Sequence, residues 1–131
     1  MLGGVKGYEF TAGGSSVWYK VIDVTNQKSF AFFVAHDFYR NVPPAIYLIT
    51  GDMYDAASTC SFFYLIGGYS KDYVRERIKV KVDSSTKRIT IWMSFTGSGT
   101  ISHVIPIAGI VPLSRVVETP PEDAVNPTFY N

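Results

Sequence analysis

Hydrophobic and polar residues alternate with a period of two along most of this chain. In residues 78–82, IKVKV, Ile78, Val80 and Val82 fall on one face of a strand, and Lys79 and Lys81 fall on the other. In residues 88–95, RITIWMSF, Ile89, Ile91, Met93 and Phe95 oppose Arg88, Thr90, Trp92 and Ser94. The polar run at 83–87 between them predicts the turn of a hairpin.

Enrichment in β-branched and aromatic residues predicts further strands at about 8–12, 16–24, 29–38, 45–50, 58–66 and 100–107. The piece at 109–117 carries Pro112, which has no amide hydrogen for a ladder and suits a sheet edge or an extended arm. Turn signals lie at 13–14, 25–27, 41–44, 51–52, 67–68 and 97–99. No segment keeps a helical period over two turns, and 70–77, SKDYVRER, predicts a single turn at most. About eight short strands between glycine-rich turns predict an all-β fold, an antiparallel β-sandwich or jelly roll.

Composition adds a constraint. The apolar fraction is 47% and aromatics make 15%, with nine Tyr and nine Phe, while charged residues make only 18%. The aromatic excess fits a subunit interface together with an aromatic binding surface. A tightly packed monomer is the alternative. In 30–35 both strand faces are apolar, with Phe30, Phe32 and Val34 opposing Ala31, Phe33 and Ala35, as expected of a strand covered on both sides. The net charge is +1, with no basic run for nucleic-acid binding. No stretch is long and apolar enough for membrane insertion, and MLGGVKGYEF lacks the apolar centre of a signal peptide. The single cysteine, Cys60, has no partner for an intramolecular disulfide and no neighbours for a zinc site, so folding in a reducing compartment is expected.

Candidate chemistry is sparse. The run SFAFFVAHDFYRN sets His36 beside Asp37, but neighbours on a strand point to opposite faces and make a poor catalytic or metal-binding pair. A satisfied strand histidine is the plainer reading, although His103 could approach His36 across strands. Cys60 lies in an apolar strand, where a thiol behaves as a small hydrophobe. The FTGSGT run at 95–100 precedes a strand rather than a helix, so it reads as a hairpin turn with glycine at positive φ and not as a phosphate loop. No enzyme and no cofactor are expected, although carboxylates among tyrosines leave a glycan-active enzyme open.

Three loops combine tyrosine with directed polar groups and are the candidate ligand-binding surface: Tyr39, Arg40 and Asn41; Asp52, Tyr54 and Asp55; and Tyr69, Lys71, Asp72 and Tyr73. Tyrosines that only seal the core are the alternative. Trp92 faces outward on its strand, which calls for a covering layer from a second sheet, a subunit or a ligand. The tail at 118–131 has three prolines and three acids in fourteen residues yet ends in Phe129 and Tyr130. It reads as disordered or as an arm along a neighbouring subunit. Phe30, Phe32, Phe33, Trp92, Phe129 and Tyr130 are the candidate interface residues.

The strands SVWYKVIDV and SFAFFVAHDF, and the pair VRERIKVKVDSSTKRITIWMSF before a glycine-rich turn, resemble the C-terminal head domains of bacteriophage tail fibres and tailspikes over about residues 15–110. The resemblance is one of strand order and texture. It implies a homotrimeric, tumour-necrosis-factor-like jelly roll in the virion tail, folded in the host cytoplasm and acting outside the cell. Its partners would be copies of itself and a host cell-surface glycan or outer-membrane protein. The implied layout is a lead-in or shaft junction at 1–14, the head at 15–117 and an extended arm at 118–131. A trimerisation domain without its own ligand and a small carbohydrate-binding module remain alternatives.

Overall fold

The computed structural model describes residues 7–13, 16–26, 29–39, 41–53, 58–109 and 113–130. The chain is an all-β sandwich of two sheets. Its elements are β1 (Tyr8–Gly13), β2 (Val17–Thr25), β3 (Ser29–His36), β4 (Ala45–Asp52), β5 (Thr59–Ile66), α1 (Lys71–Arg75), β6 (Ile78–Asp83), β7 (Arg88–Phe95), β8 (Ser98–Ala108), β9 (Leu113–Val117) and β10 (Phe129–Tyr130). A six-stranded sheet runs β1-β8-β3-β4-β5-β10 and a four-stranded sheet runs β6-β7-β2-β9. Every pairing is antiparallel except that of the short β10 with β5.

The strand order contains more local hairpins than the jelly roll implied by the resemblance. β3, β4 and β5 form a meander within one sheet, each strand pairing with its predecessor in the chain. The β6–β7 hairpin closes as the sequence predicts. Asp83 Oδ1 accepts the Ser85 and Thr86 amide hydrogens at 3.0 and 3.3 Å, and Lys87 takes the positive φ of 52°. The glycine-rich turn after β7 is not a hairpin, since β7 and β8 belong to different sheets. Its glycines do adopt positive φ, 96° at Gly97 and 73° at Gly99.

The core lies between the sheets and follows the period-two pattern. Phe30, Phe32, Val34 and His36 of β3 are buried against Ile91, Met93 and Phe95 of β7, while Ala31, Phe33 and Ala35 face outward. Phe30 and Phe32 are therefore core residues and not interface residues as expected: even positions on β3 point at the other sheet. A bulge at Val21 in β2 buries both Val21 and Ile22 and turns Asp23 outward.

The tail packs against its own chain. The Glu118 amide donates to the Trp18 carbonyl at 3.0 Å, Val125 bridges Val80, and Asn126 Nδ2 donates to the Arg75 and Ile78 carbonyls. β10 then joins β5. The tail thus straps the four-stranded sheet to the six-stranded one. Phe129 enters the core edge against Tyr47, Phe62 and Tyr64, with ring centroids 5.3 to 6.0 Å apart. Trp92 is only 4% exposed, and its indole Nε1 donates to Glu118 at 2.8 Å, so this chain's own tail is its covering layer.

Candidate functional site

Turns at one end of the sandwich bring together three of the predicted tyrosines. Tyr39 follows β3, and Tyr69 and Tyr73 flank the start of α1. The Ser70 hydroxyl caps this helix by accepting the Tyr73 amide hydrogen at 3.2 Å. Gly67 lets the chain leave β5 here: a Cβ at that position would sit 2.8 Å from the Ala45 Cα.

The cluster rests on Phe38, which is fully buried and meets Tyr69 and Tyr73 edge-on at 4.8 and 5.2 Å. The Tyr69 and Tyr73 rings stack at 5.5 Å. The Tyr39 amide donates to the Tyr69 hydroxyl at 2.8 Å, and the Tyr73 hydroxyl donates to the Tyr39 hydroxyl at 3.1 Å. The Arg77 guanidinium lies 3.5 Å over the Tyr73 ring, and its Nη1 donates to the Tyr73 carbonyl at 2.7 Å. Desolvation raises the Tyr69 hydroxyl, and desolvation followed by the bond to Tyr39 pushes Tyr73 up to about 12. Both are neutral donors at physiological pH. Tyr39, 53% exposed, presents the outermost ring. The arrangement offers a rigid aromatic face rimmed by hydroxyls.

The remaining predicted site residues divide. Asn41 is exposed in the same turn. Lys71 and Asp72 start α1 but line a shallow depression beside Thr128 and Phe129, and Asp72 pairs with Arg75 at 3.5 Å. Asp52 closes β4 at the opposite end of the sandwich, roughly 24 Å along the strand from Ala45. It cannot share a ligand with Tyr39. Arg40, Tyr54 and Asp55 lie outside the described residues. Sequence reasoning missed Phe38 and Arg77 as supports. The spacing of Tyr73 and Arg77, four apart across a helical turn, was the available signal.

The two histidines and Cys60 have structural surroundings. His36 is fully buried, with Nδ1 2.9 Å from the Tyr47 hydroxyl and Nε2 2.8 Å from the Ser94 carbonyl. His103 lies on the other face of the sheet, 3.5 Å from Glu9. Burial pushes the Cys60 thiol up to about 12. Among the described residues, no three His, Cys, Asp or Glu side chains converge in a way that could hold a metal ion. No helix among them is long and apolar enough to cross a membrane. No protein-family model, curated protein or solved structure matches the chain.

Proposed function

We propose that the protein is a non-enzymatic attachment head of a bacteriophage-type tail fibre, a homotrimer in the virion tail that recognises a host cell-surface glycan or surface protein. The observation that carries this reading is the gathering of Tyr39, Tyr69 and Tyr73 from two turns into one hydroxyl-rimmed aromatic face on a rigid sandwich. Tyrosine recognises well because it presents a large amphipathic surface with few rotors to freeze. Attachment requires no turnover, and the bonded His36 and the protonated Cys60 thiol suit a binder.

The outer face of the six-stranded sheet supports self-association. Strand register aligns Ile105, Phe33, Leu48, Phe63 and Tyr130 in one apolar row across five strands. Leu65, Ile66 and Tyr130 at its β5 side are 54, 66 and 56% exposed. A contiguous apolar face of this kind marks a covered surface in a soluble assembly. The same row favours a second reading, a trimerisation domain without its own ligand.

Mass measurement in solution is the first test, with three times 14.6 kDa expected and a stable monomer overturning the trimer. Host-cell binding separates the two readings. Tyr39→Ala with Tyr73→Ala should abolish cell binding while the trimer persists, and undiminished binding removes the tyrosine face from the site.

A further inference from the structure

A second concave surface lies away from the tyrosine end. It is a cleft of about 440 Å³ on the outer face of the four-stranded sheet, within the size range of small-molecule sites. Register places side chains there in three rows: Lys79, Trp92 and Lys20; then Lys81, Thr90 and Asp23; then Asp83, Arg88 and Thr25. The tail forms one wall through Glu118 and Pro121. That wall is fixed at both ends, by the Glu118 amide on Trp18 and by two backbone bonds of 2.7 and 2.9 Å between Val125 and Val80. Two consecutive prolines, Pro120 and Pro121, restrict it between those anchors.

The polar groups in the cleft are held rigidly, with bonding capacity to spare. Arg88 grips Asp23 with two bonds of 2.6 and 2.7 Å, and the Thr90 hydroxyl donates to the same carboxylate at 3.3 Å. Glu118 Oε2 accepts the Trp92 indole hydrogen at 2.8 Å. Between these carboxylates stands Lys20, whose Nζ is 3.8 Å from Asp23 and 3.7 Å from Glu118. Both are ion pairs longer than a hydrogen bond, so the ammonium and Glu118 Oε1 keep bonding capacity for a hydroxyl placed beside the two of them.

The charge pattern selects the ligand. Each of the three cations that line the cleft has an acid beside it: Lys20 has Glu118, Lys81 has Asp123 at 2.9 Å, and Arg88 has Asp23. An anion would meet the acids and an ammonium group would meet the bases. A neutral hydroxyl, which both donates and accepts, satisfies Lys20 and Glu118 together. Exposed Pro121 supplies apolar surface for the C–H face of a ring, beside the nearly covered Trp92. We propose that this cleft binds a neutral, hydroxyl-rich ligand, one or two sugar rings of a glycan. The site is separate from the tyrosine face and does not depend on it.

The test is titration of the full chain with neutral disaccharides (maltose, cellobiose, lactose and chitobiose) at millimolar concentrations, followed by amide and indole NMR. At least one should shift the Trp92 indole resonance and the Lys20 and Thr90 amides, while inorganic sulfate leaves them in place. Lys20→Met should weaken that binding about tenfold, the loss of one charged hydrogen bond, with Lys20→Gln intermediate and peak dispersion retained in both. Tyr39→Ala should bind the disaccharide as the parent chain does even where it loses cell attachment, so the two sites fail independently. No shift with any of the four sugars, an equal shift with sulfate, or unchanged binding by Lys20→Met would each overturn the assignment.

Discussion

The Tyr47 hydroxyl lies 2.9 Å from His36 Nδ1 in the closed space between the sheets. The other ring nitrogen is 2.8 Å from the Ser94 carbonyl oxygen, which can only accept. Nε2 therefore carries the hydrogen and the Tyr47 hydroxyl donates to Nδ1, so the bonds fix a neutral tautomer and tie β3 and β4 to β7.

That tautomer makes the fold acid-sensitive in a defined window. Burial, helped by the Arg77 charge and opposed by the Ser94 bond, lowers the histidine from 6.5 to about 4. In the unfolded chain His36 takes up its proton near pH 6.5; in the folded chain it resists until near pH 4. The unfolded state thus binds more protons between these values, and stability falls as pH drops through them. The loss reaches about 3 kcal/mol near pH 4 and levels off below it. Asp23, Asp83 and Asp123 are held below their usual range, so their share of acid unfolding comes at lower pH. Denaturant melts at pH 7, 5.5 and 4 should show the slope, and His36→Phe should flatten it. An unchanged slope in the variant would assign the sensitivity to other groups.

Phe129 gives the tail a structural task. Its ring plugs the edge of the core against Tyr47, Phe62 and Tyr64. Phe129→Ala should cost about 2–3 kcal/mol, less than a fully buried phenylalanine because the residue is half-buried. Removal of residues 118–131 should cost more, since it also uncovers Trp92 and releases the Asn126 bonds that hold Arg75 and Ile78. A truncated chain that melts with the parent would show that the strap adds nothing.

The sandwich was legible because its signal is local. Ile78, Val80 and Val82 alternate with lysines, and one residue of pattern assigns a whole strand to a face. The single turn at 70–77 and the edge position of β9 were readable for the same reason. The path of the tail was not. Nothing local in ETPPEDAVNPTFYN says that Val125 will bridge Val80 or that Glu118 will meet Trp92, because both contacts depend on which edges the sheets leave open. The candidate site was half legible for a related reason. Tyr39, Tyr69 and Tyr73 converge because β3 and β5 end at the same pole, whereas Asp52 belongs to the opposite pole as the far end of β4. Composition marks the loops, and strand direction sorts them between the two poles.

Gly67 links backbone packing to the tyrosine face. A methyl group there would come within 2.6 Å of the Tyr64 hydroxyl and 2.8 Å of the Ala45 Cα. The first contact can rotate away, but the second is backbone and must shift. Tyr64 also donates to the Tyr69 carbonyl at 2.8 Å, so displacement passes to the turn that carries Tyr69. Gly67→Ala should therefore weaken cell attachment more than Asn41→Ala, with a stability loss of about 1–3 kcal/mol. Parent-like attachment and melting would show that the turn absorbs the methyl group.

Phe63 and Leu48 stand opposite each other at the centre of the outer apolar row, on the sheet that does not carry the polar cleft. Burying that row between subunits and leaving it in water predict opposite responses to charge. In an assembly, Leu48→Lys places an unpaired ammonium at an apolar contact, and dissociation to a monomer of 14.6 kDa should follow. In a monomer the same lysine extends into solvent and raises solubility with stability nearly unchanged. The core cost is small either way, because position 48 faces away from Ile91 and Met93. Sedimentation of the parent and the variant, with far-ultraviolet circular dichroism to confirm the fold, decides between them. A parent trimer that Leu48→Lys leaves intact would place the subunit contact on another face of the sandwich.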